Sequence, residues 1–168
     1  MLLARGRAAG MACFDGSTLE AMRSFWAAAI CWPMFFVLGL ITSSHANPGT
    51  WLIEAVGFVA GWAAFALASE AMAGMAGRAR AWPRFIAAWN WANIPQYAAL
   101  VLLSAPGAVL PAGFGQMLAL IAVGYALWLE WFVTKEALGI PGPSAVMFVL
   151  LDVAIGLFVQ GIVGRITL

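Results

Sequence analysis

WNWANIPQY, residues 89–97, sets Asn90, Asn93, Gln96 and the helix-breaking Pro95 inside a run that otherwise reads as membrane-spanning. The surrounding chain has 168 residues, 64% of them hydrophobic and only 9% charged, with a mean hydropathy of +0.95. Soluble domains carry about 25% charged and about 45–50% apolar residues. A globule of this length cannot hide such an excess of apolar surface, so lipid is the expected solvent. The question raised by residues 89–97 is whether their polar groups form a binding site or hold helices together.

Apolar runs of about 20 residues give five spans, at about 24–44, 51–77, 84–104, 114–134 and 144–163. The expected fold is therefore all-α, a polytopic bundle of five transmembrane helices forming one domain over residues 1–168. The turns between spans, such as SSHANPGT, GRARAWP and SAPGAVLPAG, are rich in Gly and Pro and too short for a second domain. Arg5 and Arg7 interrupt any cleavable signal at the start, so the first span is expected to direct insertion. Ahead of it, FDGSTLEAMRSF carries a capping box in which Ser17 accepts from the Glu20 amide while Glu20 reaches back to Ser17. This predicts a short amphipathic helix at about 15–23 on the membrane surface.

Basic residues set the orientation. Arg5, Arg7 and Arg23 precede span one, Arg78, Arg80 and Arg84 separate spans two and three, and Lys135 lies between four and five. The opposite loops, 45–50 and 105–113, contain no Lys or Arg; Arg165 alone lies on that side, beside the terminus. The bias places the N-terminus in the cytoplasm and the C-terminus outside. Trp51, Trp82, Phe85 and Trp131 stand near span ends and suit interfacial belts.

An ionisable residue at mid-bilayer costs at least about 2.5 kcal/mol on insertion scales, so those within spans are candidates for function. They are Glu70 in span two, Glu130 in span four and Asp152 in span five, with Glu54 nearer the outer surface. At about 1.5 Å per residue, Glu70 lies roughly 12 Å from the inner end, Asn90 roughly 9, Asn93 and Asp152 roughly 13, and Glu130 roughly 8. These residues form one polar layer. Asn90, Asn93 and Tyr97 share a helix face, with Gln96 at its margin. Pro95 frees the carbonyl of Trp91, and Pro33 frees that of Ala29. Both are expected kinks that face protein rather than lipid. Gly57 and Gly61 make a GxxxG packing motif, and small residues on both faces of span two put it at the centre, with Glu70 turned to the Asn stripe or Asp152. Glu130 stands close enough to the interface to snorkel.

Two functions compete for this layer. Neutral acids bonded to amides and freed carbonyls would hold helices in register, which is expected of a non-enzymatic adaptor or accessory subunit. Its partners would be the bilayer and, through small-residue faces, other membrane proteins or a second copy. Alternatively, buried carboxylates without a cationic partner could carry protons or cations, as in a coupled small-solute transporter or channel component. Enzymatic signatures are missing: no HExxH, GxSxG or Walker loop occurs, and Ser43, Ser44 and His45 read as a solvated turn. With one histidine, and with Cys13 and Cys31 outside any ligand spacing, no metal or cofactor is expected. The net charge of +1 gives no basis for binding nucleic acid.

The segments FDGSTLEAMRSFWAAAICWP, WNWANIPQY and EWFVTKEALGIPGPSAVMFVLLDVAIG resemble small alphaproteobacterial integral membrane proteins, themselves distantly similar to the five-span Ypt/Rab-interacting (Yip) superfamily. The resemblance implies a five-helix fold in a bacterial inner membrane and supplies no catalytic residues. Eukaryotic members of that superfamily act as membrane adaptors with a long cytosolic N-terminal region, which this sequence lacks.

Overall fold

The computed structural model describes residues 2–42, 48–108 and 110–167. Among them the chain is all-α, with no strand: α1 (Thr18–Ser24), α2 (Trp26–Thr42), α3 (Pro48–Met75), α4 (Trp82–Ser104), α5 (Ala112–Leu138) and α6 (Gly142–Thr167), linked by short turns and 3-10 segments. Four stretches are long and apolar enough to cross a bilayer: Thr18–Ile41, Gly49–Met75, Gly113–Leu138 and Gly142–Thr167. This is the pattern of a multi-pass membrane protein.

The first of these stretches joins α1 to α2 across Phe25 alone. The short helix expected at about 15–23 is α1, which runs on into the first long stretch. Ala21 and Ser24 are buried, and Ser24 reaches Asn90 of α4. Its cap is half as expected. Ser17 Oγ accepts from the Glu20 amide at 3.1 Å, but the Glu20 carboxylate takes the Gly16 amide, and Asp15 takes that of Ser17. At the other ends, α3 stops at Gly77 and α5 at Gly139, both with positive φ that a side chain would strain.

The expected third span coincides with α4, which is missing from the four apolar stretches. Its 23 residues measure about 35 Å, long enough to cross, but it carries Arg84, Asn90, Asn93 and Gln96. Position explains the polarity. α4 packs on α1, α2, α3 and α5, and Phe85 to Asn90 form an unbroken buried run. A helix covered by protein need not be apolar all round.

The centre of the bundle thus belongs to α4 and not, as the small residues suggested, to the second span. α3, α4, α5 and α6 close into a ring, each packed on the next and α6 on α3, with α1 and α2 laid against α4 from outside. Inside the ring, Phe65 stacks on Trp89 with centroids 4.3 Å apart, and Phe85 meets Phe65 and Phe148. Phe85 is fully buried there and takes no part in an interfacial belt. Pro33 lies within α2 but is exposed, opposite the buried Ala27–Cys31 side, so it does not face protein as expected.

The chain ahead of α1 is also part of the bundle. Ala4 accepts from the Tyr125 hydroxyl of α5, Met11 accepts from Arg84 of α4, and Trp128 lies against Gly6. Nothing in the hydropathy of these residues signals that docking.

Candidate functional site

The polar residues expected in one layer separate into distinct neighbourhoods. Asn90 is fully buried and its amide donates to Ser24 Oγ at 2.7 Å, tying α4 to α1. Ser24 in turn donates to the Ala21 carbonyl, while Asn90 Oδ1 has no partner among the described residues. Gln96 donates to the Ala126 carbonyl at 3.2 Å and ties α4 to α5. These two amides act between helices. Asn93 differs: its amide returns to the Trp89 carbonyl of its own helix, and its side chain lines a cavity.

That cavity, about 260 Å³, lies between α3, α4 and α6. Asn93 and Tyr97 come from α4, Asp152 and Gln160 from α6, and Trp62 and Gly61 from α3. Gly61 and Gly156 line the cavity, and a Cβ built on either meets nothing within 4 Å. Gly57, the other half of the GxxxG, does pack, since its Cβ would stand 2.7 Å from Val163 Cγ2 of α6. One motif therefore serves two purposes, contact at Gly57 and room at Gly61. The exposed Gly156 and Gln160 mark the cavity's open side, and the Phe65–Trp89 stack lies next to it.

Asp152 links the cavity to Glu130. The Glu130 carboxyl of α5 lies within interaction range of both the Asp152 carboxyl and the Trp89 indole. Geometrically the contacts are loose: neither Glu130 Oε1 nor Trp89 Nε1 completes a hydrogen bond. Glu130 is 4% exposed, so it does not snorkel to the interface. Tyr97 lies near the Trp62 indole and Asp152, with Cys31 beside it. Among the described residues the only ion pair is Lys135–Glu136, at 3.3 Å, so neither central acid has a basic partner. Two acids without a basic partner in a low-dielectric interior are candidates for holding a proton or a cation.

Glu70 takes no part. It is exposed on α3, pointing away from both the Asn stripe and Asp152. Small residues on both sides of α3 give that helix no rotational preference, so its sequence leaves the facing of Glu70 open. Pro95 is half-buried and faces a second cavity of about 840 Å³, formed by residues 2–14 against α4 and α5. Its walls are almost wholly apolar, including Leu102, Leu103 and Ile121, so it suits hydrocarbon and holds no acid–base chemistry. No three His, Cys, Asp or Glu side chains among the described residues converge as metal ligands, and Cys13 and Cys31 are free thiols. Ser43, Ser44 and His45 lie outside the described residues.

Sequence reasoning missed Trp62, Trp89, Gln160 and Ser24. Neither Trp62 nor Trp89 stands near a span end, and they are 7% and 3% exposed, in the ring's interior. The available signal was Trp89's place beside the Asn stripe. No protein-family model, curated protein or solved structure matches the chain.

Proposed function

We propose that this chain is a non-enzymatic bacterial inner-membrane protein that handles protons or small cations. It crosses five times, with its N-terminus in the cytoplasm and its C-terminus outside. It serves as a coupled small-solute carrier or a channel component. The cavity beside Asp152 carries this reading: interhelical glue needs closed polar pairs, whereas here an acid lines an open, polar-edged space. The topology draws support from Arg78, which donates to the Gly139 carbonyl at the end of α5, one turn from the Lys135–Glu136 pair. The fifth crossing is α4, whose length suffices and whose polar groups are covered. Five helices also suit the Yip-like relationship proposed from the sequence.

In this reading a cation enters past Gly156 and Gln160 and meets Asp152. Its charge replaces the proton that Asp152 and Glu130 otherwise share, and the displaced proton leaves the pair. The test is flux in liposomes containing the purified protein and a pH-sensitive dye. Proton movement driven by a cation gradient is expected, and Asp152→Asn and Glu130→Gln should each abolish it. Equal flux from wild type and both variants, or none from any, overturns the proposal.

The adaptor reading retains one observation. Glu70 stands exposed on α3 beside exposed Leu67, Ala71 and Gly74, a costly placement against lipid that a partner helix would relieve. The mass of the particle in lipid nanodiscs decides it, since a monomer without copurifying protein removes this support.

A further inference from the structure

The walls of the Asp152 cavity are aromatic to a degree that a proton or a metal ion does not require. Phe58 lies 5.7 Å from Trp62 and 6.1 Å from Tyr97, and Trp62 lies 5.3 Å from Trp89, all measured between ring centroids. All four rings line the space that Asp152 and Asn93 edge. A cation is held over an aromatic face at up to about 6 Å from the centroid. The rings pack edge-on or tilted against one another, so together they form one continuous aromatic wall, and an ion in the cavity lies beside that wall as well as beside the acid. Oxygen donors are few: the Asp152 carboxyl, the Tyr97 hydroxyl and the amides of Asn93 and Gln160. Calcium takes a shell of about 6–8 oxygen ligands, more than the side chains of this set offer. A methylated ammonium ion needs no such shell. It offers apolar methyl groups carrying positive charge, which suit aromatic faces, and one acid nearby suffices for neutrality.

Resting on the reading of this cavity as a cation site, we propose that its substrate is a small organic monocation of the methylated-ammonium class. Asp152 neutralises its charge, and Trp62, Tyr97 and Phe58 hold its methyl groups. The volume of about 260 Å³ lies just below the range of drug-sized sites, about 300–1,000 Å³, and so matches a solute of few heavy atoms. Gly61 and Gly156 keep that volume free. The unpartnered Trp89 Nε1, buried at the cavity wall and turned to Glu130, belongs to the acid pair rather than to the ligand.

The experiment is equilibrium binding of radiolabelled choline to the full chain in lipid nanodiscs. Dimethylbutanol, its uncharged carbon isostere, serves as competitor. Saturable choline binding is expected, with dimethylbutanol at least about tenfold weaker because it lacks the charge. Trp62→Leu should weaken binding roughly 2- to 30-fold, and Asp152→Asn should abolish it. Gly156→Leu, which keeps every ring and acid, should also abolish it by filling the space, and a retained thermal transition in that variant excludes misfolding as the cause. Equal competition by dimethylbutanol, or unchanged binding in Trp62→Leu or Gly156→Leu, overturns the assignment. If choline fails to bind while Asp152-dependent proton flux persists, the organic-cation inference falls and the acid-pair reading stands. If both are absent, both fall.

Discussion

Gly57 and Gly61 are equivalent in the sequence, yet the same added methyl group should act oppositely at the two sites. At Gly61 a Cβ meets nothing within 4 Å. Gly61→Ala therefore keeps the helix-propensity gain of up to about 0.5–1 kcal/mol, opposed by no clash. At Gly57 the new atom would stand 2.7 Å from Val163 Cγ2 and 3.4 Å from Val159 Cγ1. Both neighbours are β-branched residues in a helix, with one favoured χ1 rotamer each, so relief requires α6 to shift. Overpacking of this kind costs about 1–3 kcal/mol, which outweighs or cancels the propensity gain. The two variants should thus differ by about 1–3 kcal/mol, or roughly 5- to 150-fold in the folding equilibrium. Reversible unfolding of the purified protein in bicelles measures both. Gly61→Ala is expected at or above wild-type stability and Gly57→Ala below it. Equal destabilisation by both would mean that the pair forms a uniform contact seam, and the cavity beside Gly61 would have no basis.

The Asn90–Ser24 bond should appear as coupling in a double-mutant cycle. Ser24→Ala strands a buried amide whose Oδ1 is already unpartnered, at a cost of about 1 kcal/mol, and adding Asn90→Leu should recover most of it. Coupling within about 0.3 kcal/mol of zero would show that the contact is not made. Ahead of α1, the Ser17 amide and hydroxyl hold the Asp15 carboxyl below the usual carboxylate range. A depressed value in the folded state makes its contribution full above about pH 4 and lost as pH falls through the lower, folded value. Hydrogen-exchange protection of the first turn of α1 should therefore drop in acid for wild type and stay flat for Asp15→Asn. The same acid-induced drop in both would remove Asp15 as the cause.

Several features of the site were legible beforehand and others were not, for reasons that follow from geometry. Asn90, Asn93, Gln96, Glu130 and Asp152 stand out in the sequence because polar groups in apolar runs are costly against lipid; the three amides and Glu130 are buried and Asp152 is half-buried. The proximity of Asp152 and Glu130 was not readable, since it depends on α5 and α6 being neighbours with those two faces turned inward. The depth estimate grouped Glu70 with them because depth follows from residue count, whereas facing does not. Trp62 and Trp89 were overlooked because an indole suits both an interface and an interior, and composition cannot separate the two.

Run length and hydropathy are local properties, so the sequence by itself determined an all-helical chain, the approximate helix limits, a predominantly lipid-facing surface and the polarity of α4. The rotational setting of each helix was decided only by tertiary structure, because every helix here presents apolar or small residues on several sides and lipid does not discriminate among them. Packing alone put α4 inside, turned Glu70 outward, brought Asp152 to Glu130 and left Gly61 facing open space. The cavity exists through that arrangement, since no single segment contains it.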